Sequence, residues 1–329
     1  VSCFLSDYQY ELPSELIASH PLASREDSRL LVLHRDTGQI EHRLFRDLSD
    51  YITSEDLLIL NNSKVIPARL YDLSRNIEVL LIEKKDENHW VAMVKPGRKM
   101  RLGYQATFGD CETRVVEIFP DGTRLLSFNH PPDLERWGEM PIPPYLKRLV
   151  TADDKIRYQT VFAKEPGSVA APTAGLHFTK EILDQFQHLF ITLHVGPGTF
   201  LPVKDNNLAD HQMHREHYEI KDYVADRLNQ YLESKRGRLV AVGTTTTRVL
   251  ESLPAGRIVP EKNATSIFIR PPYEFQRVDA LLTNFHLPAS TLLMLISALA
   301  GREKILETYR TAVKEKYRFF SYGDCMLIL

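Results

Sequence analysis

The sequence predicts a mixed α/β (α+β) fold in which a small all-β unit interrupts a larger one, and three observations carry this. At 329 residues with 43% hydrophobic content the chain exceeds one small core, so two domains are expected. Between residues 70 and 150 short β-like runs recur at close spacing. Beyond about residue 160 the texture changes to strand, loop and helix in alternation.

Taken in order, RLLVLH at 29–34, the turn Asp36-Thr37-Gly38 and residues 39–45 read as a hairpin. DLLIL at 56–60 is expected to be a buried strand, and 61–69 a polar loop leading into a short extended segment. Five strands are expected at 78–83, 90–94, 105–108, 114–118 and 123–128, divided by turns such as Pro96-Gly97, Gly109-Asp110 and Asp121-Gly122. The Pro-rich stretch 140–145 ends this unit, giving an inserted small β-barrel domain at 70–150 and a discontinuous larger domain at 1–69 and 151–329. In the larger domain Thr179 can cap a helix over 180–187, and strands are expected at 190–195, 238–242 and 278–283. Helices are expected at 222–234, at 245–253 and from Ser290 or Thr291, with Gly301 marking the break before a last helix to about 316.

Charge and composition exclude several classes. A formal net charge of -2 argues against coating nucleic acid by bulk electrostatics, although a local basic patch remains compatible with RNA. Cys3, Cys111 and Cys325 are odd in number and far apart, so neither a disulfide framework nor a metal knuckle is expected, and a reducing, cytoplasmic setting is. Residues 1–10 lack the basic and then apolar run of a signal peptide. The longest apolar stretch, 292–300, falls far short of the roughly 20 residues a membrane span needs, so no membrane role is expected.

Four loops between about residues 166 and 291 combine exposed backbone with polar side chains. The first, 165–179, carries Thr173, Gly175 and His177 and runs into a helix start, where free N–H groups favour an anion. The second delivers His194 on a strand and opens into Gly196-Pro197-Gly198-Thr199-Phe200. The third, Gly243-Thr244-Thr245-Thr246-Thr247-Arg248, has more hydroxyls than capping one helix requires. The fourth, 283–291, offers Asn284 and His286 for a base edge or a proton, and Phe285 for stacking. A tight turn or a simple cap explains any one of them, but four in one half of the chain point to a shared site. No GxGxxG lies between a strand and a helix, so a dinucleotide fold is not expected.

His211, His214 and His217 stand at three-residue spacing and on a helix would share a face, as zinc or iron ligands do. HExxH is absent and no fourth ligand is marked, so metal is the minority reading, and Glu216 and Tyr218 beside them are read instead as walls of a nucleoside pocket. Lys95, Arg98, Lys99 and Arg101 cluster around the Pro96-Gly97 turn, and Lys147 and Arg148 follow the Pro-rich exit. As phosphate contacts they would position RNA without reading its sequence.

Long ordered blocks then carry a resemblance. DYxYELP at 7–13, SRLLVL at 28–33, VIPARL at 65–70 and RYQTVFAKEPGSVAAPTAGLHFT at 157–179 are joined by HVGPGTF at 194–200. HxMHxExYE at 211–219, the GTT segment, TNFHLPASTLLML at 283–295 and YRFFSYGD at 317–324 complete it. Over nearly its whole length the chain resembles the S-adenosylmethionine:tRNA ribosyltransferase-isomerase family of bacterial queuosine biosynthesis. Departures are mild: Pro197 stands where alanine is usual, and His217 replaces an aromatic, which weakens the metal reading.

The resemblance implies a large discontinuous domain with a barrel-like sheet and flanking helices, plus the small inserted all-β barrel. It implies a transferase, acting as a monomer, that moves the ribosyl part of S-adenosylmethionine onto 7-aminomethyl-7-deazaguanine at the tRNA wobble position. Epoxyqueuosine forms, and adenine and methionine leave. No metal and no tightly bound cofactor is implied, since S-adenosylmethionine is consumed. His177, His194 and His286 are then the acid or base candidates, because an ordinary pKa of about 6.5 suits both roles. Glu216, Tyr218 and Asp324 are candidates to face the sulfonium, and Arg248 or the threonine-rich helix start to take the methionine carboxylate. Tyr322 and the segment 65–69 are expected walls, and Arg69, Lys95, Arg98, Lys147 and Arg148 the tRNA contacts. Competing classes are a tRNA methyltransferase, distinguished by its S-adenosylhomocysteine product, and a His-rich metallohydrolase, distinguished by metal analysis.

Overall fold

The computed structural model describes residues 4–200, 203, 205–234 and 236–329, without the side chains of Thr199 and Phe200. Its strands are β1 (Arg29–His34), β2 (Gln39–Leu44), β3 (Leu57–Asn61), β4 (Ser63–Val65), β5 (Arg69–Tyr71), β6 (Glu78–Lys84), β7 (His89–Lys95), β8 (Gln105–Phe108), β9 (Cys111–Ile118) and β10 (Arg124–Phe128). After them come β11 (Glu165–Ser168), β12 (His188–Leu193), β13 (Glu216–Ile220), β14 (Leu239–Val242), β15 (Glu261–Thr265), β16 (Ala280–Asn284) and β17 (Cys325–Ile328).

The large sheet runs β15-β13-β12-β3-β14-β16-β17-β1-β2 and is barrel-like. Its middle strands are buried on both faces, which is why they read as unbroken apolar runs. Leu30, Val32, Leu58, Leu60, Val240 and Leu327 point into one core with Phe45 and Phe178. Leu31, Leu33, Ile59, Ala241, Met326 and Ile328 point into the other, under the helices Thr244–Ser252, Thr291–Ala300 and Arg302–Lys314. The period-2 pleat sorts neighbours onto opposite faces.

The six strands β5-β6-β7-β10-β9-β8 form a separate antiparallel sheet, and a bridge between Asp72 and Phe108 brings its two edge strands together. Here β9 alternates cleanly, with Cys111, Thr113 and Val115 buried and Glu112 and Arg114 exposed. Its entry and exit are tied by paired backbone hydrogen bonds between Arg69 and Glu139, at 3.2 and 2.8 Å.

Most expected elements form within a few residues, and Thr179, Ser290 and Gly301 mark the helix boundaries foreseen for them. Three expectations are corrected. The helix after Thr179 stops at Leu183, because Phe186 turns into the core instead of continuing it. The polar loop 61–69 contains β4, which pairs with β11 far along the chain, and its last residue, Arg69, begins β5, a sixth strand of the small sheet. The histidines 211, 214 and 217 share no helix face: His217 lies in β13, and the two before it lie in irregular chain. Cys111 and Cys325 are free and buried, whereas Cys3 lies outside the described residues. Among the described residues no helix is long and apolar enough to cross a membrane.

Candidate active site

Strand direction assembles the site. β12, β3, β14 and β16 are neighbours and parallel, so the chain leaves all four at one edge of the sheet. That edge receives His194 after β12, Gly243 after β14 and Asn284 at the end of β16. β17 runs against β16 with Asn284 opposite Cys325, so residues 321–324 arrive at the same edge. β1 is parallel to β17, with Leu30 opposite Cys325, which delivers Ser28 there too. The turn Thr173–His177 lies across these ends, and a side chain at Gly243 would meet Ala174 at 3.6 Å.

One cavity at this edge is lined by Thr173, Thr244, Thr245, Asn284, His286 and Phe320, among others. Thr246 and Thr247 bond back to Val242 and Gly243 at 2.9 and 3.1 Å, which leaves the first two threonines of the helix at the cavity. A second hollow, lined by Arg25, Ser28, Arg157, His177 and Tyr322, shares Ser321 with it. A cleft of about 980 Å³ between the two sheets is walled by Glu83 and Trp90 on one side. Gly167, His194, Gly196, His214 and Glu216 wall the other. Val195 belongs to the first cavity and its two chain neighbours to the cleft, so the spaces adjoin.

The three histidines differ. His177 is 4% exposed, with Nδ1 2.7 Å from Ser28 Oγ and its ring beside Phe45. Burial pushes it down to about 4; the Asn284 side chain opposes this, and the cations Arg25 and Arg318 reinforce it. His286 is pushed down to about 3 by burial; its ring Nε2 lies 3.1 Å from Thr283 Oγ1 and its main-chain N–H donates to the Tyr309 hydroxyl at 3.0 Å. His194 is lowered by burial and then by His217, against the pull of Glu165 and Glu219. Gly167 is required beside it, since a Cβ there would come within 2.8 Å of the ring at a φ of +144°.

Several expected binding residues are engaged elsewhere, which corrects their roles. Glu216 and Arg248 are both buried and pair with each other, so neither is free to face a sulfonium or a carboxylate. Tyr218 sits in the core and donates to Glu261 at 2.7 Å. Phe285 is fully buried among Tyr309, Tyr317 and Phe319 and has no face left for stacking. Asp324 spends both carboxylate oxygens on the backbone N–H groups of Arg29 and Arg318, at 2.9 and 2.8 Å, clamping two segments together. Tyr322 donates to Asp154 at 3.0 Å but still lines the hollow beside His177. Gly175 is packed, since a Cβ there would meet Phe162 at 2.7 Å, and Gly198 lies against His214 in the same way. The side chains of Thr199 and Phe200 lie outside the described residues.

Of the basic residues, Lys95, Arg98 and Lys147 are exposed. Arg69 instead pairs with Glu78 at 3.1 Å and is 14% exposed. Arg148 grips the buried Asp154 through two contacts of 2.7 and 2.6 Å. Both are structural ion pairs rather than free phosphate contacts. Phe320 and Ser28 lie inside the blocks that carry the resemblance but were not expected as site residues, and neither were Arg25 and Arg157. Phe320 stands at a φ of +76°, a conformation rare for a bulky residue; it lines the cavity, and its ring meets Tyr145 edge to face at 4.0 Å between centroids.

Residues 5–328 match the family described as queuosine biosynthesis protein. The chain belongs to that family. It is 47% identical to proteins named S-adenosylmethionine:tRNA ribosyltransferase-isomerase from Desulforamulus reducens, Desulfitobacterium hafniense and Halothermothrix orenii, with 99% of each chain covered in every case. A crystal structure of the S-adenosylmethionine tRNA ribosyltransferase from Thermotoga maritima is 41% identical and superposes with a TM-score of 0.56, over 98% of this chain and all of that one.

Proposed function

We propose that the edge cavity binds S-adenosylmethionine and that the chain moves and isomerises its ribosyl group onto 7-aminomethyl-7-deazaguanine at the wobble position of tRNA. Epoxyqueuosine is the product on RNA, and adenine and methionine leave. The observation that supports this reading is the convergence, in a chain of the queuosine family, of histidines and backbone-rich loops on one sheet edge.

The chemistry fits what the edge offers. The sulfonium acidifies the C5′ protons, so a neutral base starts the reaction, and burial keeps His177 and His286 uncharged near pH 7. The helix start at Thr244 and Thr245 supplies N–H and O–H donors for the methionine carboxylate. Phe320 offers an aromatic face to the sulfonium. No metal or tightly bound cofactor takes part, and S-adenosylmethionine is consumed. The larger domain, 1–69 and 151–329, carries the chemistry. The barrel at 70–150 holds RNA across the cleft, with Lys95, Arg98 and Lys147 on phosphates. On this reading the protein acts as a monomer in the cytoplasm, where its tRNA substrate is found.

Incubating the protein with S-adenosylmethionine and tRNA carrying the 7-deazaguanine amine, followed by nucleoside mass analysis, tests this. Epoxyqueuosine with free adenine is expected. S-adenosylhomocysteine in place of adenine would overturn the reading in favour of methyl transfer.

A further inference from the structure

His177 stands between two oxygens of different kind. On one side Ser28 Oγ lies 2.7 Å from Nδ1, and the same hydroxyl donates to the Arg25 carbonyl at 3.1 Å. A serine hydroxyl has one hydrogen. With that hydrogen on Arg25, Ser28 accepts from His177, so Nδ1 carries the ring proton and Nε2 keeps its lone pair. On the other side the ring meets the Asn284 side chain, which favours its charged form, yet neither Nε2 nor Asn284 Oδ1 completes a well-formed hydrogen bond among the described residues. The orientation of the Asn284 amide is set independently, because its Nδ2 donates to the Phe320 carbonyl at 3.0 Å. Asn284 is 3% exposed and His177 4%, the first lining the cavity and the second the adjoining hollow, so two incompletely bonded polar atoms are buried where the two spaces meet. Unpaired buried polar groups cost free energy, and two at one place mark a site completed by something else.

We propose that His177 Nε2 is the atom that removes the C5′ proton of the sulfonium substrate, with Ser28 as the positioning residue that fixes its tautomer and Asn284 Oδ1 as the acceptor that steadies the charged ring. This rests on the reading of the chain as an S-adenosylmethionine ribosyltransferase. The proton moves from C5′ to Nε2, and the C–H electron pair stays on the carbon beside the sulfonium. The resulting imidazolium keeps its Nδ1–H bond to Ser28 and turns the new Nε2–H toward Asn284 Oδ1, so the Asn284 acceptor is used only after the transfer. Burial keeps the ring neutral beforehand, and the charged groups facing it, Arg25 and Arg318, add to that. His286 lacks this arrangement: its Nε2 already faces Thr283 and its main chain is held by Tyr309.

The test uses the full chain with S-adenosylmethionine and substrate tRNA. Nitrogen-15 NMR, with His177→Asn to assign the signal, reads the tautomer, and a proton on Nδ1 is expected. Exchange of the C5′ hydrogens is then followed against pH. Ser28→Ala is expected to lower exchange at least tenfold and to move the pH profile, with KM for S-adenosylmethionine little changed. Ser28→Thr, which keeps the hydroxyl, is expected to restore both. A proton on Nε2, or an unmoved pH profile in Ser28→Ala that folds and binds S-adenosylmethionine, overturns the assignment of base and tautomer. Failure of the unaltered protein to bind S-adenosylmethionine by calorimetry sinks the functional reading instead, and the tautomer result separates the two.

Discussion

Glu216 and Arg248 form an ion pair whose side chains are only 4% and 3% exposed, tying the start of β13 to the helix Thr244–Ser252. Glu216 Oε1 also accepts the Gly196 N–H at 3.1 Å, so the pair fixes the turn that walls the cleft. Removing one partner strands the other charge in the interior, which costs about 3–5 kcal/mol. Arg248→Met and Glu216→Gln are each expected to lose that much stability in urea. The double variant should lose far less than the sum, and strictly additive losses would show the two groups to be uncoupled.

Two phenylalanines near the cavity are expected to behave oppositely. Phe285→Ala empties a fully buried site among three aromatic rings and should cost about 3–5 kcal/mol. Phe320→Gly relieves a left-handed backbone and should change stability by less than about 1 kcal/mol while raising KM for S-adenosylmethionine several-fold. Thermal melts and steady-state kinetics on both variants separate the roles. Equal melting temperatures would contradict the assignment.

Charge removal distinguishes surface cations from structural ones. Lys95→Ala and Arg98→Ala should each weaken tRNA binding and reduce the slope of log affinity against log salt by about 1. Arg148→Ala leaves the buried Asp154 unpaired and should cost about 3 kcal/mol of stability, with the salt slope of the folded protein unchanged. A salt slope altered by Arg148→Ala alone would place that residue in the RNA interface.

Acid should destabilise the protein in a defined window. Folded His177 and His286 are held down near 4 and 3, below the 6.5 of an unfolded histidine, so the unfolded chain takes up protons first as pH falls. Stability present above pH 6.5 is therefore lost progressively as pH drops toward 4, before Asp154, held at about 2, begins to contribute. A tenfold difference in proton affinity between the folded and unfolded chain is worth about 1.4 kcal/mol. The urea midpoint of His177→Asn should fall less steeply between pH 6.5 and 4 than that of the unaltered protein, and parallel curves would refute the link.

The apolar runs, the turn signals and the caps made most helix starts and most strands legible, including five of the six in the small sheet, because these depend on neighbours in the chain. The helix Asp222–Ser234 and the N-caps Thr179 and Ser290 needed nothing more. The four polar loops were visible as loops for the same reason, and parallel pairing of β12, β3, β14 and β16 then put three of their strand ends on one edge. What each side chain does there was decided by tertiary structure. Phe285 became core because three aromatic rings close over it, and Asp324 became a clamp because two distant N–H groups converge on it. Ser28 looks like any serine before a strand until β1 pairs with β17 and sets its hydroxyl against His177. Local chemistry can be read along the chain, but which polar atoms are buried, paired or left waiting depends on partners that only folding brings within about 3 Å.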